Sequence, residues 1–532
     1  MSIVGMRKNM KQWSKYLVWS LAIVFVIGII GVSAPGAMFR DGGQSGQSGI
    51  VAKVNGEKIS RVAFEKRVDE DTKKMAGDRV LTPIEELQIR GRVLDGLVDR
   101  ALIMQAAKKE RIRVSKRDVN RKVEELVDSQ ISQIKAELTA GYKGKNVDKL
   151  FQSELRKRNL TLNKVRYDIR KGIDANALRE QLVVEKLFKS IAENIDKSEK
   201  AVRASFDEIK VSRITVGVDN RSDAQAKARA EEVAKKLRGG ESFAALAKEY
   251  SDDPFKDDGG AVQGFIRMGM MEPELDAAIA KLAKVSDVSS PVKTSRGYVI
   301  IKLDGKRSAL PADFNKPDKK KSYIEQYALV KGSDAQQTYF TDLKKNAKVE
   351  VIDLEMKGYE AIKAISTGPL VSTPEMKRAK LEVAISQFKK AAVAAEHDPR
   401  ILARCYSTMA YLYDMLSKPG AFGTDKALRD KYAAEKEASL NAALDNGEAN
   451  DLRLMRAEIY VDQGKYSNAL EDLDVVSQNA YNDYAAHEQI ISLCQKMKGS
   501  AEAARQIAVE KQWILDFKKN NPSGSGMAMP SP

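Results

Sequence analysis

Four carboxylates, Asp252, Asp253, Asp257 and Asp258, crowd a stretch that opens at Ser251 and runs into Gly259-Gly260. Clustered carboxylates could hold calcium, but a calcium loop alternates its ligands and closes on a glutamate, and this spacing does neither. An ordinary acidic loop is expected. Gly239-Gly240 has no lysine partner and reads as a helix-to-helix turn rather than a phosphate cradle. Both histidines, His397 and His487, and both cysteines, Cys405 and Cys494, lie in the last third of the chain. The rest is without an imidazole for acid-base work, which removes most hydrolase mechanisms. Two cysteines build neither a disulfide scaffold nor a four-ligand zinc site. They read as separately buried core residues, with pairing left open. No metal and no cofactor is expected.

The elements that would position any site must belong to several domains, because 532 residues are too many for one hydrophobic core. A composition of 43% hydrophobic and 31% charged residues is that of folded domains rather than a disordered chain. The net charge of +16 would permit a nucleic-acid or anionic partner. The basic residues are interleaved with acids, as in Arg156-Lys157-Arg158 after Glu154, and no aromatic platform accompanies them. A solvated surface is expected, and no nucleic acid.

Arg7, Lys8, Lys11 and Lys15 precede an uncharged run from Tyr16 to Phe39, with Trp13, Tyr16 and Trp19 where an interfacial belt would lie. About twenty such residues in a helix cross a bilayer. The pattern predicts a cytoplasmic basic segment at 1–15 and a single-pass anchor at 16–39 in the inner membrane. The bulk of the chain then lies on the extracytoplasmic or periplasmic side. A cleaved signal peptide is the competing reading, since Val32-Ser33-Ala34 and Pro35-Gly36-Ala37 offer cleavage-like spacing. Residues 40–49 are a Gly, Gln and Ser linker.

Beyond the linker, residues Val51 to Ile59 alternate around Asn55-Gly56, the signal for a tight hairpin, and Ser60 caps a helix. Helical spacing then runs to about Lys200, with Leu94, Leu97, Val98, Leu102 and Ile103 facing the core and Pro83 at a helix start. The segments VAKVNGEKIS and LDGLVDRALIMQAAKKERIRVS resemble the N-terminal chaperone domain of the SurA, PrsA and PpiD group of foldases. The resemblance implies a helical cradle for unfolded chains over 50–200, completed by a returning segment at 320–354.

The character changes over 205–307. Strands are expected at Val211 to Val218 and Tyr298 to Leu303, with helices at Asp223 to Arg238 and Ser242 to Tyr250. VSRITV, LRGGESFAALAKEYSDDP, GGAVQGF and VSSPVKTSRGYVIIKL together resemble the parvulin peptidyl-prolyl isomerases. In that family two histidines flank a cysteine or aspartate above a Leu, Met and Phe pocket. The resemblance puts the acidic position on Asp253 and the family's threonine on Thr294. It puts Arg213 and Val299 where the two histidines would stand. Val262 and Phe265 take apolar pocket positions, the methionine falls on Met270 or Met271, and Leu275 replaces the phenylalanine. Loss of both histidines strips the acidic residue of its usual network, so weak or absent isomerase activity is expected. Asp253 paired with Arg213 in a different but working network is the alternative.

Residues 357–519 read all-helical. Leu381 to Leu416 and the stretch LRLMRAEIYVDQGKYSNALEDLDVV resemble tetratricopeptide repeats, with a plain Ala-rich helical bundle as the alternative. Residues 520–532 read as a disordered tail. The fold class expected is mostly α with one α+β module: a helical chaperone domain, a parvulin-like domain and a helical-repeat domain. The function expected is a membrane-anchored folding factor that binds unfolded or nascent secreted polypeptides close to the translocation machinery. A true prolyl isomerase and an envelope scaffold built on the repeats are the other readings.

Overall fold

A computed structural model describes residues 49–76, 81–139, 146–157, 159–218, 221–268, 270–367, 373–395, 398–420 and 422–520. The basic segment, the apolar run and the linker up to residue 48 lie outside the described residues, as do His397 and tail residues 521–532. Among the described residues no helix is long and apolar enough to cross a membrane. The chain divides into two compact units. One takes the described residues of Met1–Arg67 and Val93–Glu350, the other those of Val68–Arg92 and Val351–Pro532.

The first unit opens on strands β1 (Ile50–Val54) and β2 (Glu57–Ser60), an antiparallel hairpin. Its turn holds Asn55 at φ 51° and Gly56 at φ 89°, the left-handed pair that a two-residue hairpin needs and that Asn-Gly adopts at little cost. Ser60 Oγ accepts the Ala63 N–H at 3.2 Å and caps the helix Arg61–Ala76. A strand from far along the chain, Val349–Val351, joins the sheet beside β1. Lys348 and Asn55 exchange hydrogen bonds there at 2.8 and 2.9 Å. The helix before that strand, Pro317–Lys345, packs on the helix Ala175–Glu193. Ile103, Ala106, Val184 and Leu187 are buried with Tyr339, Phe340 and Leu343 packed against them. A second cluster, including Val119, Val127, Phe151 and Leu155, ties Lys116–Thr139 to Val147–Lys157. Each such fully buried side chain contributes about 2 kcal/mol of apolar burial.

Set between these helices in sequence is an antiparallel sheet of order β4-β3-β6-β5. Its strands are β3 (Asp207–Gly217), β4 (Ile266–Arg267), β5 (Val292–Thr294) and β6 (Gly297–Ser308). β3 and β6 pair along their whole length, from Asp207 opposite Ser308 to Gly217 opposite Gly297. β3 starts before the expected strand and stops at Gly217, one residue short of it, and β6 outruns its expected strand at both ends, because pairing recruits polar ends that propensity alone does not. Glu208 meets Arg307 at 2.8 Å and Asp207 meets Lys306 at 3.3 Å across the ladder. On one face lies the helix Asp223–Arg238, opened by a full capping box of Ser222 and Gln225 and burying Ala226, Ala230 and Val233. The helix Phe243–Tyr250 follows, one residue shorter than expected because Ser242 is its cap position.

The second unit is helical. Its helices run Leu354–Thr367, Pro374–Ala395, Pro399–Ser417, Lys426–Leu444, Asn450–Asp462, Tyr466–Asn479, Tyr484–Lys496 and Ala501–Asn520, and each packs on the next. Ala384, Ala391, Ala410, Ala457 and Ala469 are buried at the contacts. Val68–Arg92, part of the expected chaperone region, groups by its contacts with these helices. Leu87 and Ile89 are buried in this segment, and an ion-pair network joins it to the helices: Arg404 meets Glu355 at 2.5 Å and the partly exposed Glu86 at 3.2 Å, and Arg90 meets Glu355 at 3.4 Å. Removing one partner of such a pair would leave another charge withdrawn from water and unpaired, which is strongly destabilising. Cys405 and Cys494 are buried, unpaired thiols on separate helices. Burial and the nearby Glu510 push the Cys494 thiol up to about 11.

Candidate functional site

The site stands on the sheet face opposite the helix Asp223–Arg238. Register pairs Val211 with Leu303, Arg213 with Ile301 and Thr215 with Val299, and paired residues share a face. Strand alternation therefore puts Arg213 and Thr215 in line with Ile209 and Val211. These belong to an apolar cluster with Leu275, Ile279, Val299, Ile301 and Leu303.

Asp253 comes to this face from the turn after Phe243–Tyr250. Its φ of −79° and ψ of 146° cap the short 3₁₀ turn Pro254–Asp258, with Oδ1 accepting the Phe255 N–H at 3.1 Å. Pro254 at the first position fixes that turn. The Asp253 side chain is 5% exposed, and its Oδ2 lies 2.7 Å from Arg213 Nε. Nε is buried without an aligned hydrogen bond, so the contact is a close charge pair rather than a directed donor. Thr215 Oγ1 donates to the same Oδ2 at 3.1 Å. Ser251 braces the pair from behind, its Oγ accepting the N–H groups of Thr215 at 3.0 Å and Asp253 at 3.2 Å. Arg213 also stacks over Phe255, 5.3 Å from the ring centroid.

Gly260 lets these parts close up. Its φ is +82°, its N–H reaches the Phe255 carbonyl at 2.8 Å, and its own carbonyl accepts the Arg213 N–H at 2.8 Å. A Cβ there would stand 2.5 Å from the Arg213 carbonyl oxygen. Glycine is required on both counts.

The expected pocket residues divide. Val262, Met271 and Leu275 come together in the apolar cluster, with Val299 at 5% exposure where a histidine of the family would stand. Met270 is 75% exposed, so of the two methionines Met271 is the one that meets the cluster. Phe265 is placed elsewhere: it is half-exposed, with its ring against Gly305 and under Arg307, whose guanidinium carbon lies 4.2 Å from the centroid. Thr294 shares the face one row beyond Val292, as β5 alternation requires. Its hydroxyl accepts the Arg296 N–H at 3.2 Å and lies 3.3 Å from the Gly297 carbonyl, which ties the β5–β6 turn. Thr215, Ser251 and Phe255 went unmarked in the sequence. The alternation of VSRITV, which sends Thr215 to the same side as Arg213, was the available signal for the first.

Asp252, beside the site, points the other way. It accepts from Gly217 N–H at 2.8 Å and is clamped by Arg221. Desolvation pushes its carboxyl up, but Arg221 and the Gly217 N–H outweigh that and hold it below the usual carboxylate range. Among the described residues no cluster of three or more His, Cys, Asp or Glu side chains could hold a metal ion.

Residues 209–305 match the PPIC-type PPIASE domain family, and residues 3–182 match the SurA-like N-terminal domain family. The chain is 28% identical over 295 residues to the foldase protein PrsA of Caldanaerobacter subterraneus subsp. tengcongensis, covering 54% of this chain and 81% of that protein. It is 31% identical over 234 residues to the foldase protein PrsA of Bacillus subtilis, covering 43% of this chain and 76% of that protein. A solved peptidylprolyl isomerase (PrsA) from Bacillus cereus aligns at 25% identity over 59% of this chain and 97% of its own, with a TM-score of 0.21. On the sequence identity and the two matched domains, with a sheet-borne parvulin site set within a SurA-like helical region, the chain belongs to the PrsA family of foldases.

Proposed function

We propose that this foldase is held in the membrane by residues 16–39 and works on the extracytoplasmic side. There it binds unfolded secreted or envelope polypeptides, and its parvulin-type domain grips X-Pro segments while turning them over weakly. The observation that carries this reading is the state of Asp253, whose two oxygens already serve Arg213, Thr215 and the Phe255 N–H. Rotation about an X-Pro bond meets a barrier of about 18–20 kcal/mol. An isomerase lowers it by favouring the twisted amide, which requires polar groups free to respond to the substrate. A carboxylate fully committed to its own scaffold has little left to offer. The apolar cluster beside it, with Val262, Met271 and Leu275, still suits a pyrrolidine ring. The exposed Met270 adds an adaptable contact for varied clients.

One observation favours the second reading, a working isomerase: the Arg213 side chain remains 26% exposed although paired with Asp253, so it is not wholly sealed from a substrate. The helical-repeat region and the translocation machinery enter the proposal as docking arm and neighbour, on the resemblance of the C-terminal helices to tetratricopeptide repeats.

The test uses the full-length chain in a mild non-ionic detergent, scoring cis-to-trans conversion of a short X-Pro peptide and suppression of client aggregation at one concentration. Suppression with conversion close to the uncatalysed rate is expected. Conversion that Asp253→Ala abolishes would overturn the reading and make the protein an enzyme first.

A further inference from the structure

The second unit carries a groove of about 480 Å³ that the isomerase site does not involve. It lies along the helices Asn450–Asp462 and Tyr484–Lys496, with Tyr411 of Pro399–Ser417 at one side. Leu454, Met455 and Leu493 make its apolar lining. Its charges are Asp451, Glu458 and Asp483 against Lys496 alone, an acidic concavity on a chain whose net charge is +16.

Those charges are unequally occupied. Glu458 is paired with Lys496 at 3.1 Å, both half-exposed at the rim. Asp483 caps its helix, accepting the Ala486 N–H at 3.1 Å. Asp451 accepts the Tyr411 hydroxyl on Oδ2 at 2.6 Å, while its Oδ1 is shielded and has no hydrogen-bond partner among the described residues. An acceptor so placed costs free energy until a donor reaches it, and a cationic donor is worth most. Beside it, the thioether of Met455 and the side chain of Leu454 suit an aliphatic stem.

We infer that this groove docks a basic segment of a partner polypeptide, an extended stretch carrying an arginine or lysine between apolar residues. The cation pairs with Asp451, its stem lies on Leu454 and Met455, and the flanking apolar residues fill the rest of the groove. The docking is independent of prolyl isomerisation, since no residue of the groove belongs to the parvulin domain.

The test is fluorescence anisotropy of the labelled peptide Gly-Leu-Ala-Arg-Ala-Leu-Gly on the full-length chain in detergent, beside peptides with norleucine or glutamate in place of arginine. Asp451→Asn keeps an acceptor for Tyr411 and removes the charge. It should weaken the arginine peptide by about tenfold or more, the worth of one charge-assisted hydrogen bond, and leave the norleucine peptide unchanged. Lys496→Gln releases Glu458 from its internal cation and should tighten the arginine peptide severalfold, a gain that damage to the fold cannot mimic. Equal affinity for the arginine and norleucine peptides, or an arginine peptide indifferent to both substitutions, would overturn the inference.

Discussion

Two neighbouring aspartates show how one dipeptide serves two purposes. Asp253 faces the apolar cluster and neutralises Arg213, whereas Asp252 faces Arg221 and fastens the end of β3 to the turn. Because the folded state depresses the Asp252 carboxyl, its contribution is fully present above the unfolded value of 3.8 and is lost as pH falls through the folded value. Asp252→Asn should therefore destabilise the parvulin domain by about 1 kcal/mol at neutral pH, a partly exposed pair being worth no more. The urea midpoints of the two proteins should converge in acid, below the ordinary carboxylate range. A gap that persists to the lowest pH at which the domain folds would assign the effect to shape rather than charge. At this scale the motif order was enough to put Asp253, Arg213 and Val262 in one domain. The roles of Thr215 and Phe265 were not readable, because a hydroxyl's partner and a ring's direction depend on register and on which residue stacks above it.

At the scale of elements, Pro83 and Ser60 mark helix starts as their chemistry requires, whereas Ser242, expected inside its helix, stands at the cap position without a side-chain hydrogen bond. Strand ends were read short, since Asp207, Glu208, Lys306 and Arg307 have no strand propensity and join the ladder only through each other. The grouping of Val68–Arg92 with the C-terminal helices had no local signal, because Glu86 and Arg90 acquire meaning only beside Glu355 and Arg404. The returning helix Pro317–Lys345 reaches its partner through a small-residue contact. Gly332 is buried on it, and a Cβ there would stand 3.0 Å from the Ala192 Cβ. Gly332→Leu should force the two helices apart at a cost of about 1–3 kcal/mol, while relieving only a little of glycine's helix penalty. Denaturant unfolding of this variant and of Gly332→Ala would show it, with Ala close to wild type and Leu well below. Equal midpoints for Leu and wild type would mean the helices are not in firm contact.

Across the first unit, the parvulin module is an insertion, leaving the helical region at residues 204–207 and re-entering it at 308–317. An insertion joined by two crossings can be stiff or slack, and what packs at the crossings decides which. Here Phe206 meets Phe314 and Tyr323 edge-on at 6.0 and 5.5 Å, and Phe314 and Tyr323 stack at 5.7 Å. Arg203 covers Phe314 at 4.6 Å, Arg267 of the sheet covers Phe206 at 5.7 Å, and the Tyr323 hydroxyl donates to Asp313 at 2.9 Å. Arg203 also donates to Asn315 at 2.5 Å, and Lys320 pairs with Glu199. Both crossings and the sheet edge are thus locked through one aromatic cluster, which fixes the direction in which the parvulin face looks out from the helices. Phe314 is fully buried at its centre, so Phe314→Ala should cost about 3–5 kcal/mol at the joint. The loss should be local. Hydrogen exchange should rise in the helix Glu199–Ala204 and the first turns of Pro317–Lys345, while the amides of Ile300 and Ile301 in the middle of β6 keep their protection. Protection lost equally along β3 and β6 would mean that the cluster is part of the parvulin core. The module would then owe its orientation to the two chain crossings alone.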